Sequence, residues 1–219
     1  MGRLMRGLPW LLPLGTVGCF WSSPGEQSGE LGNGVFTWVC TSGADQACTD
    51  NVSPDDFPDA IAVGSTFQLT YRSNGGLGYT PQAGSRHLQE SFPGGSFTAI
   101  EPGWASVIVY KDRAILDFIH LDLRTVDRFE MPIAGTSSSV EVGETTQVQA
   151  SPICGDALCA GSLPYAWSID DPSVLALQPS DEPDNRVTIR GISAGTARLS
   201  VTSDDLDGAV TITVTGTPP

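Results

Sequence analysis

The chain has 219 residues, and its composition is acidic and rich in turn-forming residues. It carries 25 acidic against 11 basic side chains, a formal net charge of −14, and its only lysine is Lys111. Binding to nucleic acid or to anionic lipid headgroups depends on clustered Lys and Arg, so the composition argues against both kinds of partner. The 40% apolar content is enough for a buried core, while 25 glycines and 16 prolines predict many turns and little long helix.

The segment before Cys19 has the three parts of a secretory signal. Arg3 and Arg6 form a positive region, residues 8–17 form a short apolar region, and the small residue Gly18 precedes the cysteine. A membrane-spanning helix needs roughly 20 apolar residues, so this run of about ten is too short to span. We therefore predict that the protein is exported.

Residues 16–19 (Thr-Val-Gly-Cys) resemble the lipobox of bacterial lipoproteins. The resemblance implies that residues 1–18 are removed as a signal peptide and that Cys19 is lipidated, which attaches the protein to a membrane. Thr16 departs from the pattern, in which leucine is usual. Phe20 is not the aspartate that often retains such proteins at the inner membrane, so the resemblance implies the outer membrane or cell surface. The alternative is an ordinary secretory signal that is cleaved nearby.

The four remaining cysteines are consistent with an oxidising compartment. They allow three pairings, and proximity along the chain favours Cys40 with Cys48 and Cys154 with Cys159. In the loop-entropy model such short loops contribute roughly 2–3 kcal/mol each. A four-cysteine zinc site is the alternative, although neither spacing matches the tight pairs of zinc ribbons.

The mature chain is predicted to contain a tether and an internal repeat. Residues 19–34 are interpreted as a flexible tether, because the stretch is rich in Gly and Ser and lacks periodicity. Residues 62–69 match residues 141–148, and further on residues 99–109 match residues 191–201. Each copy has the size of a domain, so the repeat predicts two tandem domains rather than a solenoid.

The second copy has the pattern of an all-β domain. Apolar and polar residues alternate in short stretches between turn signals, most clearly in residues 210–214. The predicted strands span residues 139–142, 145–150, 165–169, 174–178, 186–190, 196–202 and 209–215. Seven short strands in about 85 residues are typical of an immunoglobulin-like sandwich.

Four sequence elements of this copy occur together and in order. They are Val142-Gly143-x-Thr145, Trp167-Ser168-x-Asp170, Gly191-x-x-x-Gly195-x-Ala197 and Val210-Thr211-Ile212-Thr213-Val214. On these elements residues 132–216, within a predicted domain of residues 132–219, resemble a bacterial Ig-like domain of group 2. The first copy, residues 35–131, lacks the tryptophan element and is interpreted as a divergent Ig-like β-sandwich. The predicted fold class is therefore all-β, with two tandem immunoglobulin-like β-sandwiches after a signal peptide and a flexible tether.

The sequence contains no recognisable catalytic constellation. His87 and His120 are its only histidines, and it has no nucleophile elbow, no zinc-protease motif and no glycine-rich phosphate loop. His120 lies in the apolar run of residues 115–121, which is more typical of a satisfied strand residue than of a base. We therefore predict that the protein is not an enzyme.

Acidic turns form one kind of candidate site. Asp204, Asp205 and Asp207 are the densest cluster, and carboxylates before a glycine can bind a hard cation such as calcium. Because the EF-hand spacing is absent, solvated turns are the favoured interpretation and no cofactor is predicted.

Aromatic residues near loops form the second kind of candidate site. Tyr79, Trp104 and Tyr165 lie at or near predicted loops, where such side chains can stack on sugars or fill a partner's pocket. Core packing is the favoured interpretation of these three residues.

The family resemblances imply a lipid-anchored surface protein that adheres or binds through exposed loops. Its expected partner is an unidentified surface protein or glycan. The alternative function is a structural spacer or accessory lipoprotein of an envelope assembly, with no ligand of its own.

Overall fold

A computed structural model describes residues 25–48, 56–92, 94–133, 138–178 and 184–216. The predicted signal peptide and Cys19 lie outside these ranges. Every regular element in them is a β-strand, and none of the described residues belongs to a helix long and apolar enough to cross a membrane.

The first ten strands build a sandwich of two sheets. They are β1 (Glu26–Ser28), β2 (Gly34–Val39), β3 (Ile61–Ala62), β4 (Thr66–Ser73), β5 (Gly78–Tyr79), β6 (Gln82–Ala83), β7 (Leu88–Ser91), β8 (Ser96–Ala99), β9 (Gly103–Lys111) and β10 (Ala114–Arg124). One sheet has the order β1-β2-β4-β8-β7, with β5 paired to β4, and the other has the order β3-β10-β9-β6. Alternate residues of these strands point inward, and the core between the sheets includes the fully buried Phe36, Trp38, Leu69, Phe97 and Ile119.

The next ten strands build the second sandwich. They are β11 (Arg128–Glu130), β12 (Ser139–Glu141), β13 (Thr145–Gln149), β14 (Ser151–Cys154), β15 (Ala157–Leu158), β16 (Ala166–Ile169), β17 (Leu175–Leu177), β18 (Arg186–Gly191), β19 (Gly195–Ser203) and β20 (Leu206–Thr215). Its main sheets have the orders β12-β20-β19-β16 and β13-β18-β17, and a small third sheet has the order β11-β14-β15. The predicted all-β class, with two tandem immunoglobulin-like sandwiches, is confirmed.

The internal repeat corresponds to a repeated piece of backbone geometry. The sheets β3-β10-β9-β6 and β12-β20-β19-β16 match strand for strand, and each begins with a parallel pair. Gly64 and Gly143, which the repeat aligns, have φ values of 88° and 89°. Their amides donate to the carbonyls of Ala99 and Gly191, which the repeat also aligns, at 2.8 Å in both cases. A positive φ of this size favours glycine, which explains why the residue recurs at this turn.

Part of the predicted flexible tether is instead a strand. β1 pairs antiparallel with β2, and Glu26 lies opposite Thr37. The glycine and serine content predicted flexibility because it gives no periodic pattern, but backbone pairing does not need one. The tether prediction is therefore corrected for residues 25–34.

A buried carboxylate holds the chain that follows β1. Asp117 on β10 is fully buried, and its two oxygens accept hydrogen bonds from the amides of Leu31 and Asn33, both at 2.9 Å. The Tyr71 hydroxyl donates a further bond of 3.2 Å. These donors offset the cost of removing the carboxylate from water. A Cβ on Gly29 would overlap the Asp117 carboxylate, so only glycine allows this close approach.

The same segment explains why residues 115–121 alternate poorly in apolar character. In β10 the inward positions from Asp117 onward alternate regularly, after a bulge between Ile115 and Asp117. At the edge of the same strand, the Glu30 amide donates to the carbonyl of Phe118 at 2.9 Å, and the Phe118 side chain is half-buried. The segment after β1 thus lies alongside the edge of β10, next to the irregular part of the strand.

The two sandwiches meet along a stretch of extended backbone at residues 159–163. Ala160 accepts a hydrogen bond from the Ala62 amide and donates one to the Ala60 carbonyl, each at 2.9 Å. Ser162 and Thr66 exchange two more, at 2.8 and 2.9 Å. We call this contact the junction.

The disulfides follow the predicted local pairing. Cys40 is bonded to Cys48 in the first sandwich, and Cys154 is bonded to Cys159 in the second. The second bond joins Cys159, the first residue of the junction segment, to Cys154 on β14, so it anchors that end of the segment.

The sequence placed residues 128–130 in the first domain, whereas the structure places them in the second sandwich. This stretch is β11, which pairs with β14, and the Phe129 ring lies 5.8 Å from that of Tyr165. Three residues are too few to show which sandwich they pair with, so the sequence pattern could not assign them.

Candidate functional site

The alternation of β9 determines which of its side chains reach solvent. Ala105, Val107 and Val109 point into the first core and are completely buried. The intervening side chains point to the other side of the sheet, and Trp104, the first of them, is 68% exposed. Trp104 is therefore directed toward solvent by its position in the strand, and it is the most exposed aromatic residue of this sheet.

The neighbouring strand β10 continues the same surface. Cross-strand pairs of an antiparallel ladder share a face, and Trp104 lies opposite Asp122, with His120 opposite Ser106. We call this surface the outer face; it comprises Trp104, Ser106, Ile108 and Tyr110 of β9 and Ile115, Phe118, His120 and Asp122 of β10.

The polar groups of the outer face are held in place by partners. Asp122 Oδ2 accepts from Nε and Nη2 of Arg124 at 2.7 and 2.6 Å, beside the Trp104 indole. His120 Nδ1 lies 2.6 Å from Glu30 Oε1, so the imidazole already has a polar partner, as expected for a satisfied strand residue. Because these side chains are already oriented, binding a partner here would cost less side-chain entropy than ordering free ones.

This arrangement is suited to recognition. An exposed indole offers a flat apolar surface for a sugar ring or an apolar side chain, and tryptophan is enriched among residues that dominate binding energies. The adjacent Arg124–Asp122 pair supplies fixed donors and acceptors. The outer face therefore combines an apolar platform with hydrogen-bonding groups.

The other two aromatic candidates are not on this face. Tyr79 is half-buried and packs against the first core, with its ring 6.4 Å from that of Tyr71. Tyr165 is only 6% exposed and packs at the junction against Phe129. Tyr165 is therefore a core residue, as the favoured interpretation expected, whereas the 68% exposure of Trp104 corrects that interpretation for Trp104. Sequence reasoning could not separate the three, because all of them lie next to turn signals.

The acidic candidates lie around the hairpin between β19 and β20. Asp204 and Asp205 form its tip, between the paired residues Ser203 and Leu206, and Asp207 follows on β20. All three aspartates are exposed. Within the described ranges no group of three or more His, Cys, Asp or Glu side chains is placed to hold a metal ion. Calcium binding stays a prediction.

The junction contains a buried carboxylate that the sequence did not single out. Asp45 is 3% exposed, and it accepts hydrogen bonds from Trp38 Nε1 at 2.8 Å and from the amides of Ala47 and Gly161 at 2.9 Å. Trp38 belongs to the first core and Gly161 to the second sandwich, so one carboxylate links the two. Burial raises the pKa of Asp45, because desolvation of the charged form outweighs these hydrogen bonds, which lower it.

Comparison with known proteins gives distant structural likeness only. No protein-family model and no curated protein sequence matches the chain. Domains 4 and 5 of the S-layer protein SbsC are 18% identical with a TM-score of 0.33, and the match covers 77% of this chain and 96% of that one. The Escherichia coli adhesin FdeC is 14% identical with a TM-score of 0.36, over 74% of this chain and 62% of that one.

Invasin, a bacterial integrin-binding protein, is 15% identical with a TM-score of 0.36, over 72% of this chain and 38% of that one. This chain therefore spans only part of the length of FdeC and of invasin. With TM-scores this low, the fold rests on the strand topology given above.

Proposed function

We propose that this chain is a non-enzymatic protein of the cell envelope that acts as a surface adhesion or binding module, with a surface protein or glycan as partner. The observation that supports this function is Trp104, a 68% exposed tryptophan on a paired strand. Solvation of a large apolar ring is unfavourable, so a partner that covers it gains free energy. The Arg124–Asp122 pair beside it would orient that partner.

We further propose that the protein is anchored by lipid. Removal of residues 1–18 would leave Cys19 at the new N-terminus, lipidated at the outer membrane or cell surface, as the lipobox-like sequence implies. Residues 132–216 would belong to the bacterial Ig-like domains of group 2, as their motifs imply. Mass spectrometry of the membrane fraction tests the anchor: we expect a diacylated Cys19 peptide, whereas an unmodified Cys19 or cleavage elsewhere would contradict it.

The binding function is tested with the mature ectodomain on a glycan array and in pull-downs from intact cells. We expect saturable binding that is lost in Trp104→Ala. Phe92→Ala is the matched control, since Phe92 is 98% exposed and directly follows β7 of the other sheet. Binding that survives Trp104→Ala would show that the outer face is not the site.

A structural spacer or accessory lipoprotein is the second candidate function. The junction favours it, because the backbone hydrogen bonds at Ala160 and Ser162 and the buried Asp45 fix one sandwich on the other. Under this function the ectodomain would show no saturable binding and would instead co-purify with envelope proteins. The same pull-down therefore separates the two functions.

A further inference from the structure

A cleft opens between the two sandwiches beside the tip of the β19–β20 hairpin. It encloses about 350 Å³. Apolar side chains from both sandwiches line it, among them Val63 after β3, Phe129 on β11 and Leu206 on β20. Small-molecule sites are typically apolar cavities of this size between domains, with a few polar groups that fix the orientation of the ligand.

The polar side of this junction cleft is acidic. Asp204 and Asp205 line it, and both are exposed. The ion pairs between described residues involve neither of them. In a chain with a net charge of −14, two adjacent carboxylates that make no ion pair favour a cationic ligand.

A third polar group in the cleft lacks a partner. Ser203 lines the cleft and is 6% exposed, and its Oγ makes no hydrogen bond in the described structure. Buried hydroxyls are normally paired, since an unpaired one loses its bonds to water without replacement. Because this Oγ is itself shielded from solvent, a ligand in the cleft would reach it only after the Ser203 side chain rotates.

The two sandwiches contribute jointly to the acidic side. Asp204 Oδ2 lies only 2.9 Å from the position that a Cβ on Gly64 would occupy, so this carboxylate rests against the first sandwich. The cleft therefore depends on the docked arrangement of both sandwiches.

We propose that the junction cleft binds an aliphatic amine, a ligand with an apolar body and a terminal ammonium group. The apolar walls would take the body, while Asp204 and Asp205 would pair with the ammonium group. Rotation of the Ser203 side chain would let its Oγ accept a hydrogen bond from the same group. The same chemistry is offered by a free organic amine and by a lysine side chain of a partner protein. This site is separate from the outer face and does not depend on it.

The test is titration calorimetry of the mature ectodomain with n-hexylammonium chloride, alongside methyl perturbation at Leu206 and Val126 in nuclear magnetic resonance spectra. We expect binding of n-hexylammonium, and no binding of n-hexanol or methylammonium, because each lacks one of the two features. The Asp204→Asn/Asp205→Asn variant should bind roughly tenfold more weakly, as expected for the loss of two exposed ion pairs. Asp207→Asn is the control, since it removes a charge from the same hairpin outside the cleft.

Equal binding of n-hexanol, or an unchanged affinity in the double variant, would overturn the proposal. Binding of calcium chloride that blocks n-hexylammonium would also overturn it and would assign the carboxylates to a metal. A capped lysine peptide in place of n-hexylammonium distinguishes a protein partner from a free amine. Trp104→Ala should leave amine binding unchanged, so failure of the outer face as a binding site and failure of this site are distinguishable.

Discussion

Asp45→Ala is the sharpest test of how the two sandwiches are joined. The substitution removes the acceptor shared by Trp38 Nε1, in the first core, and the amide of Gly161, in the second sandwich. It also leaves the Ala47 amide without its side-chain acceptor. The backbone hydrogen bonds of Ala160 and Ser162 stay possible, so the variant should weaken the junction without preventing either sandwich from folding.

The size of the effect follows from two opposing contributions. Each buried donor left without an acceptor costs about 1–3 kcal/mol. The raised pKa of Asp45 means that burial already disfavours its charged form, so removing the carboxylate recovers part of the loss. We expect a net decrease of about 3 kcal/mol in the free energy of unfolding.

Urea denaturation followed by tryptophan fluorescence measures the total loss in the free energy of unfolding. Amide hydrogen exchange shows which part of the protein is destabilised. Exchange at Gly161 should accelerate in Asp45→Ala while the amides of the β19–β20 ladder stay protected. Glu144→Ala is the control, because it removes one exposed carboxylate of the same charge. A stability within about 0.5 kcal/mol of wild type, or unchanged exchange at Gly161, would refute the assigned role.

Three further predictions concern pH, the segment after β1 and the second disulfide. Since the folded-state pKa of Asp45 is raised above 3.8, its contribution to stability is present below that value and lost as the pH rises through the raised pKa. The stability difference between wild type and Asp45→Ala should therefore shrink from about pH 4 to pH 7 in urea melts, and a difference that grows would contradict the sign. Gly29→Ala should lower the free energy of unfolding by about 3 kcal/mol, because the new Cβ would displace the buried Asp117 carboxylate from its hydrogen bonds. Gly75→Ala is the control: its Cβ would meet only an ordinary contact, so calorimetry should show almost no change in stability. Replacing Cys154 and Cys159 by Ser should lower the free energy of unfolding by roughly 2–3 kcal/mol and speed exchange at Ser162; unaltered exchange there would show that the disulfide does not support the junction.

Local patterns in the sequence were sufficient for the seven predicted strands of the second sandwich and for the repeated turn, but they did not predict β14 and β15. Alternation in residues 210–214 and the recurring glycines at positions 64 and 143 each reflect a backbone geometry set within a few residues. Such signals survive in one sequence because the side-chain period of a strand and the φ of a turn are local properties.

Contacts between distant residues were not predictable in the same way. Residues 25–34 have the composition of a linker, and the buried Asp117 that holds Leu31 lies 86 positions further along the chain. Asp45 likewise resembled any acidic turn residue, and its role depends on Gly161, 116 positions away. The exposure of Trp104 depends on which face of β9 is covered by the core. The sequence shows only that Trp104 lies next to a turn, and this does not identify the covered face.

The parallel pairing of β12 with β20 has a consequence for mechanical load. β12 opens and β20 closes the main sheet of the second sandwich, and they pair from Ser139 opposite Thr213 to Glu141 opposite Thr215. When a chain is pulled from its two ends, parallel first and last strands slide past each other, so their hydrogen bonds are stretched together rather than opened one by one. A protein held at one end and pulled at the other would therefore resist extension at this pair, before the antiparallel ladders bear the force.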